Sequence, residues 1–424
     1  MITNLLNNIY RQKLNAGALQ YTIVFSLLIL MMLGLFLLYA QISSIEILQS
    51  EKQSQIIENI KSSVTILENN QGMFNNSFNQ MQLLDNEEYK TKINISEWGL
   101  YSIVKIKAMH QQSQLSKIFL FTDNIRENDL SPSLYLSSSK HYLSVGGNTY
   151  LGNNTYLPAY GIRKAYVGGV GYERESLVQG KSYKASNTLP EINKTIKEKY
   201  FRLKNSANSS LNKTRIEDLK IDTVFNSFDT QSLVVVCPPK YKISNTYFDG
   251  NIIITGDNIS IENSVSIRNC IVIAKSILID GKFVGQGQFF AENKIELGES
   301  ANLKVPSILY LDNQNKEDQI IIKENSTIYG DIIVPNFTKE KQETIIIEAK
   351  SKIVGQVYCN GYLSFDATLF GSLFTNGFIK KDRRGLYENY LVNVCIDIDR
   401  LPKEYSGVSL IADSKAKTCS EEVY

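Results

Sequence analysis

The chain is poor in the residues on which many enzyme sites depend. Its 424 residues include two histidines, His110 and His141, and one tryptophan, Trp98. Histidine is the commonest metal ligand and general base near neutral pH. A histidine-rich metal site or a histidine-based catalytic triad is therefore not expected, and the sequence predicts no metal site, no cofactor and no catalytic residues.

Cysteine usage also fails to indicate a known type of site. The five cysteines are odd in number and far apart in the sequence: Cys237, Cys270, Cys359, Cys395 and Cys419. This spacing fits neither a disulfide framework nor a CxxC metal site. The sequence favours mostly free or buried thiols, and it leaves one or two disulfides open.

The chain also lacks an excess of charge of either sign. Lysine and arginine number 45 against 43 aspartate and glutamate residues, for a net charge of +2. No dense basic cluster is present, so a nucleic-acid partner is not expected. The glycine-rich stretch between Leu143 and Pro190 contains neither a GxGxxG turn opening a helix nor a GxxxxGK[ST] loop, which argues against phosphate binding of those kinds.

One long hydrophobic run is present near the N-terminus. Residues 16–42 carry no charged side chain, and about 20 apolar helical residues cross a bilayer core. We predict a transmembrane helix at 16–42. A cleaved signal peptide is the alternative, but the run is longer than an ordinary signal and Leu38-Tyr39-Ala40 is a poor cleavage site.

The charges that flank this run predict its orientation. Arg11 and Lys13 precede it, whereas Glu46 and Glu51 follow it. By the positive-inside rule, residues 1–15 are cytoplasmic and the bulk of the chain lies across the inner (cytoplasmic) membrane, in the periplasm or at the surface. The protein is then single-pass, with residues 16–42 in contact with lipid.

The stretch from Arg11 to Phe25 resembles the N-terminus of type IV pilin-like proteins, which have a short basic leader, a glycine and then a continuous apolar helix. The resemblance implies processing after Gly17, with Ala18 as the first mature residue. Most pilins carry glutamate at the fifth mature position, where this chain has Thr22.

Two further segments separate the membrane run from the C-terminal half. In residues 43–84 apolar residues recur at three- and four-residue steps, which predicts a helical stalk reaching about residue 70. Residues 85–235 predict a mixed α/β middle domain, with buried strands at Ile118–Thr122 and Leu233–Cys237 and a helix after residue 190.

Residues 236–379 contain a six-residue repeat, which predicts a β-solenoid. Alternating apolar residues give each strand one buried face, and a glycine or asparagine every six residues permits a corner. About 18 residues form one coil, and loops at Asn313–Asp318 and Lys339–Gln342 interrupt the repeat. The predicted core positions are Ile259, Val265, Ile271, Ile277, Phe283, Ile295, Ile328, Ile353 and Phe365. The predicted fold is mainly β: an N-terminal transmembrane helix and stalk, the middle domain, then this solenoid.

The stretches Ser326–Val334 and Ser351–Leu373 resemble bactofilins, polymer-forming bacterial cytoskeletal proteins, in their aliphatic-x-Gly-x-aliphatic steps. The resemblance implies a solenoid that stacks end to end. Bactofilins face the cytoplasm, whereas this chain is predicted to face outward. The remaining residues, 380–424, could cap the last coil, and a cap would favour a monomer.

Two enzymatic hypotheses fit a repeat of this period. Hexapeptide-repeat acyltransferases resemble this repeat but need a histidine near the coils, and none follows His141. Polysaccharide-cleaving β-helices need clustered carboxylates. The candidates are Asp249, Asp257, Asp280, Asp331 and Asp366, although aspartate at a corner is more often turn chemistry. Cys359 falls at a first position of the repeat and should point inward.

Three functions remain. The favoured one is a non-catalytic, membrane-anchored structural or scaffold protein of the bacterial envelope. A pilin-like component of a surface filament is one form of this hypothesis. It would have protein partners or self-associate. A surface module that binds a glycan or protein through the tyrosine-rich middle domain is the alternative. A polysaccharide-acting enzyme is the third.

Overall fold

The computed structural model describes residues 16–74, 80–85, 89–110, 113–125, 131–137, 141–167, 169–219, 222–336, 342–382, 385–411 and 417–423. The predicted cytoplasmic segment 1–15 lies outside them. The helices are α1 (Ala16–Glu68) and α2 (Lys194–Ser209), with short 3₁₀ turns at Gln71–Phe74, Ile216–Asp218 and Ile398–Arg400. The rest of the regular structure is β, so the chain is mainly β with a long N-terminal helix.

The strands in the first half are β1 (Gln80–Asp85), β2 (Tyr89–Trp98), β3 (Tyr101–His110), β4 (Ser113–Asn124), β5 (Leu134–Leu136), β6 (Leu143–Gly146), β7 (Tyr150–Leu151), β8 (Thr155–Leu157), β9 (Ile162–Lys164), β10 (Ser182–Lys184), β11 (Lys213–Arg215), β12 (Thr223–Asn226), β13 (Leu233–Val236), β14 (Tyr241–Ile243) and β15 (Tyr247–Gly250). The strands in the second half are β16 (Ile252–Ile261), β17 (Ser266–Arg268), β18 (Cys270–Ile279), β19 (Val284–Gly285), β20 (Gly287–Leu297), β21 (Asn302–Leu311), β22 (Gln319–Ile322), β23 (Thr327–Val334), β24 (Glu343–Ile347), β25 (Lys352–Phe365), β26 (Thr368–Asp382), β27 (Gly385–Glu388), β28 (Tyr390–Val392), β29 (Cys395–Ile396), β30 (Ser406–Gly407) and β31 (Lys417–Glu422).

Helix α1 is one continuous element of 53 residues, about 80 Å long at 1.5 Å per residue. Its large apolar residues are exposed from Leu19 to Leu48, whereas Ile56, Ile60 and Leu67 are buried. The stalk predicted over 43–84 is therefore helical as far as Glu68, and the chain beyond it continues into a strand at Gln80.

An antiparallel sheet covers the second half of α1. Strands β1 to β4 lie in chain order, and β30 and β31 from the C-terminus both pair with β4. Ile56, Ile60 and Leu67 of α1 pack in one cluster with Val104 and Phe121 of the sheet. This packing stabilises the second half of α1, because the narrow apolar stripe of that half would not keep it helical in isolation.

The larger part of the chain forms parallel ladders in a closed, barrel-like set of strands, which we call the body. In its first turns Ile259 lies opposite Ile277, and Ile277 lies opposite Ile295, at the 18-residue interval that the repeat predicts. Further on, Ile295 lies opposite Ile320 and Ile320 opposite Ile345. The longer interval accommodates the predicted interruption at Asn313–Asp318 without breaking the ladder, whereas most of the second one, Lys339–Gln342, lies outside the described residues.

The nine predicted core positions are all buried, with 4% exposure or less. Eight of them belong to the cluster of apolar side chains inside the body. The prediction that Ile271 lies inside the solenoid is wrong, because Ile271 belongs to a second apolar cluster on the outer face of the body. Strand side chains alternate between faces, so its neighbours Cys270 and Val272 occupy the inner face instead.

Corners of the body use more residue types than the predicted glycine and asparagine. Lys282, Ser300, Asn325 and Lys350 all have positive φ, between 58° and 62°. Single residues can occupy this left-handed region at a modest cost when the surrounding structure fixes them. The repeat therefore tolerates lysine and serine at corners, which a glycine-based pattern search would miss.

The body extends beyond the interval 236–379 at both ends. At one end β11 pairs with β13. At the other, β26 pairs with β5 and β29, and β7, β8 and β10 follow. The middle region 85–235 thus contributes to the sheet, to both ends of the body and to α2, and the tail 380–424 contributes to the body and the sheet.

Helix α2 lies on the outer face of the body. The side chain of Asn193 accepts a hydrogen bond from the Thr195 backbone N–H and caps the first turn. Four buried residues of the helix, Ile196, Tyr200, Leu203 and Ala207, join the outer apolar cluster that also contains Ile271 and Phe290. This cover explains why apolar residues occur on both faces of the strands beneath it.

Candidate functional site: the anchor helix and its junction with the body

Among the described residues, α1 is the one helix that is long and apolar enough to cross a membrane, and its first half carries the apolar residues. Its large side chains face solvent on all sides; Leu30 and Met32, for example, are each 72% exposed. A soluble protein rarely exposes so large an apolar surface. This part of α1 is therefore a candidate membrane-contacting element by length, composition and exposure.

The end of α1 is fixed by the C-terminus of the chain. A side-chain oxygen of Glu68 accepts a hydrogen bond of 3.0 Å from the backbone N–H of Cys419 on β31. Strand β31 itself runs beside β4, with Cys419 opposite Phe121. The end of α1 and the C-terminal strand β31 therefore meet at one point, which closes the sheet on the helix.

A second set of contacts joins the sheet to the body. The Gln288 side chain accepts a hydrogen bond from the Leu100 N–H at 2.8 Å and donates one to the Trp98 carbonyl at 2.8 Å. The Trp98 indole N–H donates to the Asn269 carbonyl at 3.2 Å. Gln288 is 2% exposed, and both ends of its amide are satisfied, as a buried amide requires.

We call the contacts of Trp98, Gln288, Asp331 and Gln356 between the sheet, the C-terminal segment and the body the seam. Asp331 is fully buried in it. Its carboxylate accepts hydrogen bonds from the Tyr405 hydroxyl at 2.9 Å and the Val408 N–H at 2.7 Å. The Gln356 N–H donates to it at 3.0 Å, and the Gln356 side chain also donates to the Val408 carbonyl at 2.8 Å. Burial raises the pKa of Asp331 to about 6, and these hydrogen bonds act against that rise. The carboxyl thus holds the segment before β31 against the body.

A neighbouring charged cluster ties the same segment to α2. Asp123 pairs with Lys417 and accepts a hydrogen bond of 2.8 Å from the Ser409 N–H. Lys199 of α2 donates to the Leu100 carbonyl at 3.0 Å. Burial lowers the pKa of Lys199 to about 8, and the nearby Lys417 adds to this effect. The cluster links α2, the sheet and the C-terminal segment.

Each of the aspartates considered as catalytic candidates has at least one partner among the described residues, although one carboxylate oxygen of Asp249 is buried without a hydrogen bond. Asp331 belongs to the seam. Asp257 pairs with Lys275 at 2.9 Å and Asp366 with Lys380. Asp249 accepts a hydrogen bond of 3.0 Å from the Tyr247 hydroxyl, and Asp280 lies 4.0 Å from Lys242.

The cysteines and histidines are the other residues that could carry out chemistry, and the structure shows where they lie. All five cysteines are free, and Cys359 points into the inner cluster as its position in the repeat predicts. Burial raises the pKa of Cys359 to about 12, so it is a poor nucleophile. His110 is buried, and His141 lies 3.6 Å from Glu388. Within the described ranges no three His, Cys, Asp or Glu side chains are grouped to hold a metal ion.

The predicted processing position lies at the start of the helix as described, with Gly17 and Ala18 in the first turn of α1. Sequence reasoning missed the seam almost completely. Its members come from positions as distant as Trp98, Asp331 and Val408, and only the fold brings them together. The one signal in the sequence is Asp331 itself, an aspartate directly followed by the apolar run Ile332–Val334.

The tyrosine-rich stretch forms a ladder of stacked rings. Tyr135 lies 5.1 Å from Tyr156, and Tyr156 lies 5.2 Å from Tyr183, with interplanar angles of 22° and 25°. Stacked rings cover each other's faces, although Tyr183 at the end of the ladder is 41% exposed. The arrangement favours a packing role for these three tyrosines.

Comparisons with known proteins leave the family open. No protein-family model matches the chain, and no curated protein matches it at a significant level. Among solved structures it is similar to the competence-associated pilin ComZ from Thermus thermophilus, at 10% sequence identity and a TM-score of 0.20, covering 81% of this chain and 86% of that chain. At that TM-score the similarity carries no argument about function.

Proposed function

We propose that this chain is a single-pass, non-catalytic structural protein of the bacterial envelope. In this proposal α1 crosses the inner membrane, and the body is held on the far side as a scaffold or interaction surface. The observation that carries the proposal is the division of α1 into two halves. The half from Leu19 to Leu48 is exposed and apolar, and the half that includes Ile60 and Leu67 belongs to the core of the folded part.

The continuity of α1 makes the attachment stiff. No break separates the apolar half from the packed half, so the body cannot swing freely about a linker. We further infer that the closed parallel ladders form a β-solenoid, because the same aliphatic positions stack at 18-residue and longer intervals. A stiff anchor with a rigid solenoid fits a scaffold better than an enzyme that must close over a substrate.

The ends of the body favour a monomer over an end-to-end polymer. All three residues of the strand at one end, Ser182–Lys184, are exposed, as are two of the three residues of the strand at the other end, Lys213–Arg215. Both carry basic side chains, which protect strand edges and repel a second copy. We therefore propose that the solenoid does not polymerise in the bactofilin manner; long filaments of the purified full-length protein in electron micrographs would contradict this.

Membrane insertion can be tested on the full-length protein. The double substitution Leu30→Arg and Leu33→Arg places two charges in the centre of the span, at a cost of about 3 kcal/mol each. We expect the wild type to stay in the membrane pellet after an alkaline carbonate wash and the double variant to be lost from it. Ile47→Arg, beyond the predicted span, is the matched control and should stay in the pellet. Loss of the wild type on washing would overturn the anchor.

A pilin-like role is the second candidate. It is favoured by the position of Gly17 and Ala18 in the first turn of a helix that continues to Glu68. Mass spectrometry of the N-terminus of the membrane-extracted protein tests it. Ala18 as the first residue would support prepilin-type processing, Met1 would support a plain anchor, and a start near Gln41 would contradict both.

A further inference from the structure

One cleft on the body lies away from the anchor and the seam. It has a volume of about 420 Å³, and its lining includes Tyr150, Arg174, Thr368, Cys395 and Arg400. Thr368, Cys395 and Tyr150 stand side by side on three neighbouring strands, β26, β29 and β7. The ladder therefore forms a rigid floor, and the two arginines stand on segments that follow or flank it.

Both arginines are held over the same aromatic ring. The guanidinium carbon of Arg174 lies 4.9 Å from the centre of the Tyr150 ring, and that of Arg400 lies 5.5 Å from it. Arg400 also lies 5.6 Å from the Phe370 ring. Stacking on aromatic rings fixes the plane of a guanidinium and leaves its N–H edge available to an acceptor. The two positive charges are thus oriented in advance.

The charges around the cleft are only partly neutralised. Arg400 Nε lies 3.1 Å from the buried carboxylate of Asp397, which leaves its terminal nitrogens. Arg174 Nε donates to the Asn148 carbonyl at 3.4 Å, and among the described residues it forms no ion pair with a carboxylate. Glu173 and Glu175 flank it in sequence and are exposed. The cleft therefore presents the guanidinium of Arg174 and the terminal nitrogens of Arg400, whose positive charge Asp397 partly offsets.

The geometry points to a binding site for an anionic saccharide unit in this cleft, with Arg174 and Arg400 receiving its carboxylate or phosphate. Guanidinium donors match the paired oxygens of both groups. A volume of 420 Å³ lies within the range of small-molecule sites, about 300 to 1,000 Å³. The remaining polar lining, Asn148, Asn393 and Thr368, supplies uncharged amide and hydroxyl groups suited to sugar hydroxyls. This site does not depend on the proposed membrane anchor.

The test measures binding of four probes to the full-length protein in detergent by titration calorimetry. The probes are glucuronate, glucose 1-phosphate, glucose and inorganic phosphate. We expect at least one of the anionic sugars to bind about tenfold more tightly than glucose, and Arg174→Gln to weaken that binding about tenfold. Binding of glucuronate alone would identify a carboxylate as the natural group, and binding of glucose 1-phosphate alone would identify a phosphate.

Arg202→Gln is the matched control, because Arg202 pairs with Glu97 at 2.8 Å on another part of the surface, and its affinity for the anionic sugars should be unchanged. Equal thermal midpoints of wild type and Arg174→Gln show that the variant folds. Should Arg174→Gln unfold, Arg400→Gln serves in its place with the same expected loss. The inference is overturned if neither anionic sugar binds, if Arg174→Gln binds as well as wild type, or if inorganic phosphate binds as tightly as glucose 1-phosphate.

Discussion

The inside of the body and the seam between the body and the sheet are stabilised in different ways. The inside is lined mainly by Ile, Leu, Val and Phe side chains, and the parallel ladders satisfy the backbone. The seam instead buries Asp331, Gln356 and Gln288, each in hydrogen bonds of defined direction. An apolar interior accepts loops of different length between turns, whereas a satisfied polar network specifies one arrangement. The body is thus the tolerant part of the molecule and the seam the specific one.

The largest effect is expected from a cavity inside the body. Ile277 is 1% exposed within the inner cluster. Ile277→Ala should lower the free energy of unfolding by about 3 kcal/mol, since it removes buried methyl groups and leaves a void in a ladder that cannot close around it. Denaturant unfolding of the full-length protein in detergent, followed by circular dichroism, measures this loss.

The adjacent residue provides the control. Leu278 lies on the same strand but is 40% exposed, so Leu278→Ala should cost well under about 1 kcal/mol. Equal losses for the two variants would mean that the inner and outer faces are not distinguished, and the description of the body would have to change.

The next largest effect is expected at the seam. Asp331→Ala leaves the Tyr405 hydroxyl and the Val408 and Gln356 N–H groups without their acceptor. Leaving buried donors unsatisfied costs about 1 to 3 kcal/mol for each group that water cannot reach. We expect a loss of about 2 to 3 kcal/mol, and hydrogen exchange should rise in residues 401–411 while the strands around Ile277 stay protected.

Asp257→Ala is the comparison for that variant. Asp257 is half-exposed and pairs with Lys275 at 2.9 Å on the surface; removing it should change stability by less than about 0.5 kcal/mol. If Asp331→Ala were to raise exchange uniformly over the body, the seam would not be a separate unit.

These two regions also differ in how well the sequence predicts them. The repeat predicts the spacing between Ile259, Ile277 and Ile295, because each coil repeats one local pattern. The pattern misassigns Ile271, since α2 covers the outer face there and makes apolar residues acceptable on both sides. Local signals cannot reveal that 134–136 pairs with β26 or that 417–422 completes the sheet, because these contacts join distant segments.

The candidate sites show the same limit. The apolar half of α1 is visible in the sequence as an uncharged run, and the structure shows it exposed. The arginine cleft is not visible, since Arg174 and Arg400 are separated by more than two hundred residues and meet only over Tyr150. Chemistry that arises from long-range packing has no spacing that a motif could capture.

The seam should also respond to pH in a way that the body does not. Burial raises the pKa of Asp331 from its ordinary 3.8 to about 6, so the folded protein holds this proton more tightly than the unfolded chain. The part of the stability that comes from binding this proton is complete below about pH 4 and is lost as the pH rises through about 6, whereas the hydrogen bonds to the carboxyl oxygens remain. Asp331→Asn has no proton to lose there, so the stability of the wild type relative to this variant should fall between pH 4 and 6.

Unfolding midpoints measured at intervals across that range test this sign. Ile277→Ala serves as the reference, because it changes an apolar contact and should run parallel to the wild type at every pH. A constant difference between wild type and Asp331→Asn would show that Asp331 does not titrate with folding.

The smallest effect separates two kinds of ion pair. Lys323 and Glu348 lie 2.8 Å apart on the surface of the body, each about one-third exposed, whereas Lys417 and Asp123 form a largely buried pair beside the seam. A double-mutant cycle with Lys323→Met and Glu348→Gln should give a coupling below about 0.5 kcal/mol that decreases further in salt. The same cycle with Lys417→Met and Asp123→Asn should exceed about 1 kcal/mol, because lost solvation makes an unpaired charge there costly. Equal couplings would mean that the seam owes its specificity to its buried hydrogen bonds alone, and that the charged cluster beside it contributes no more than an ordinary surface pair.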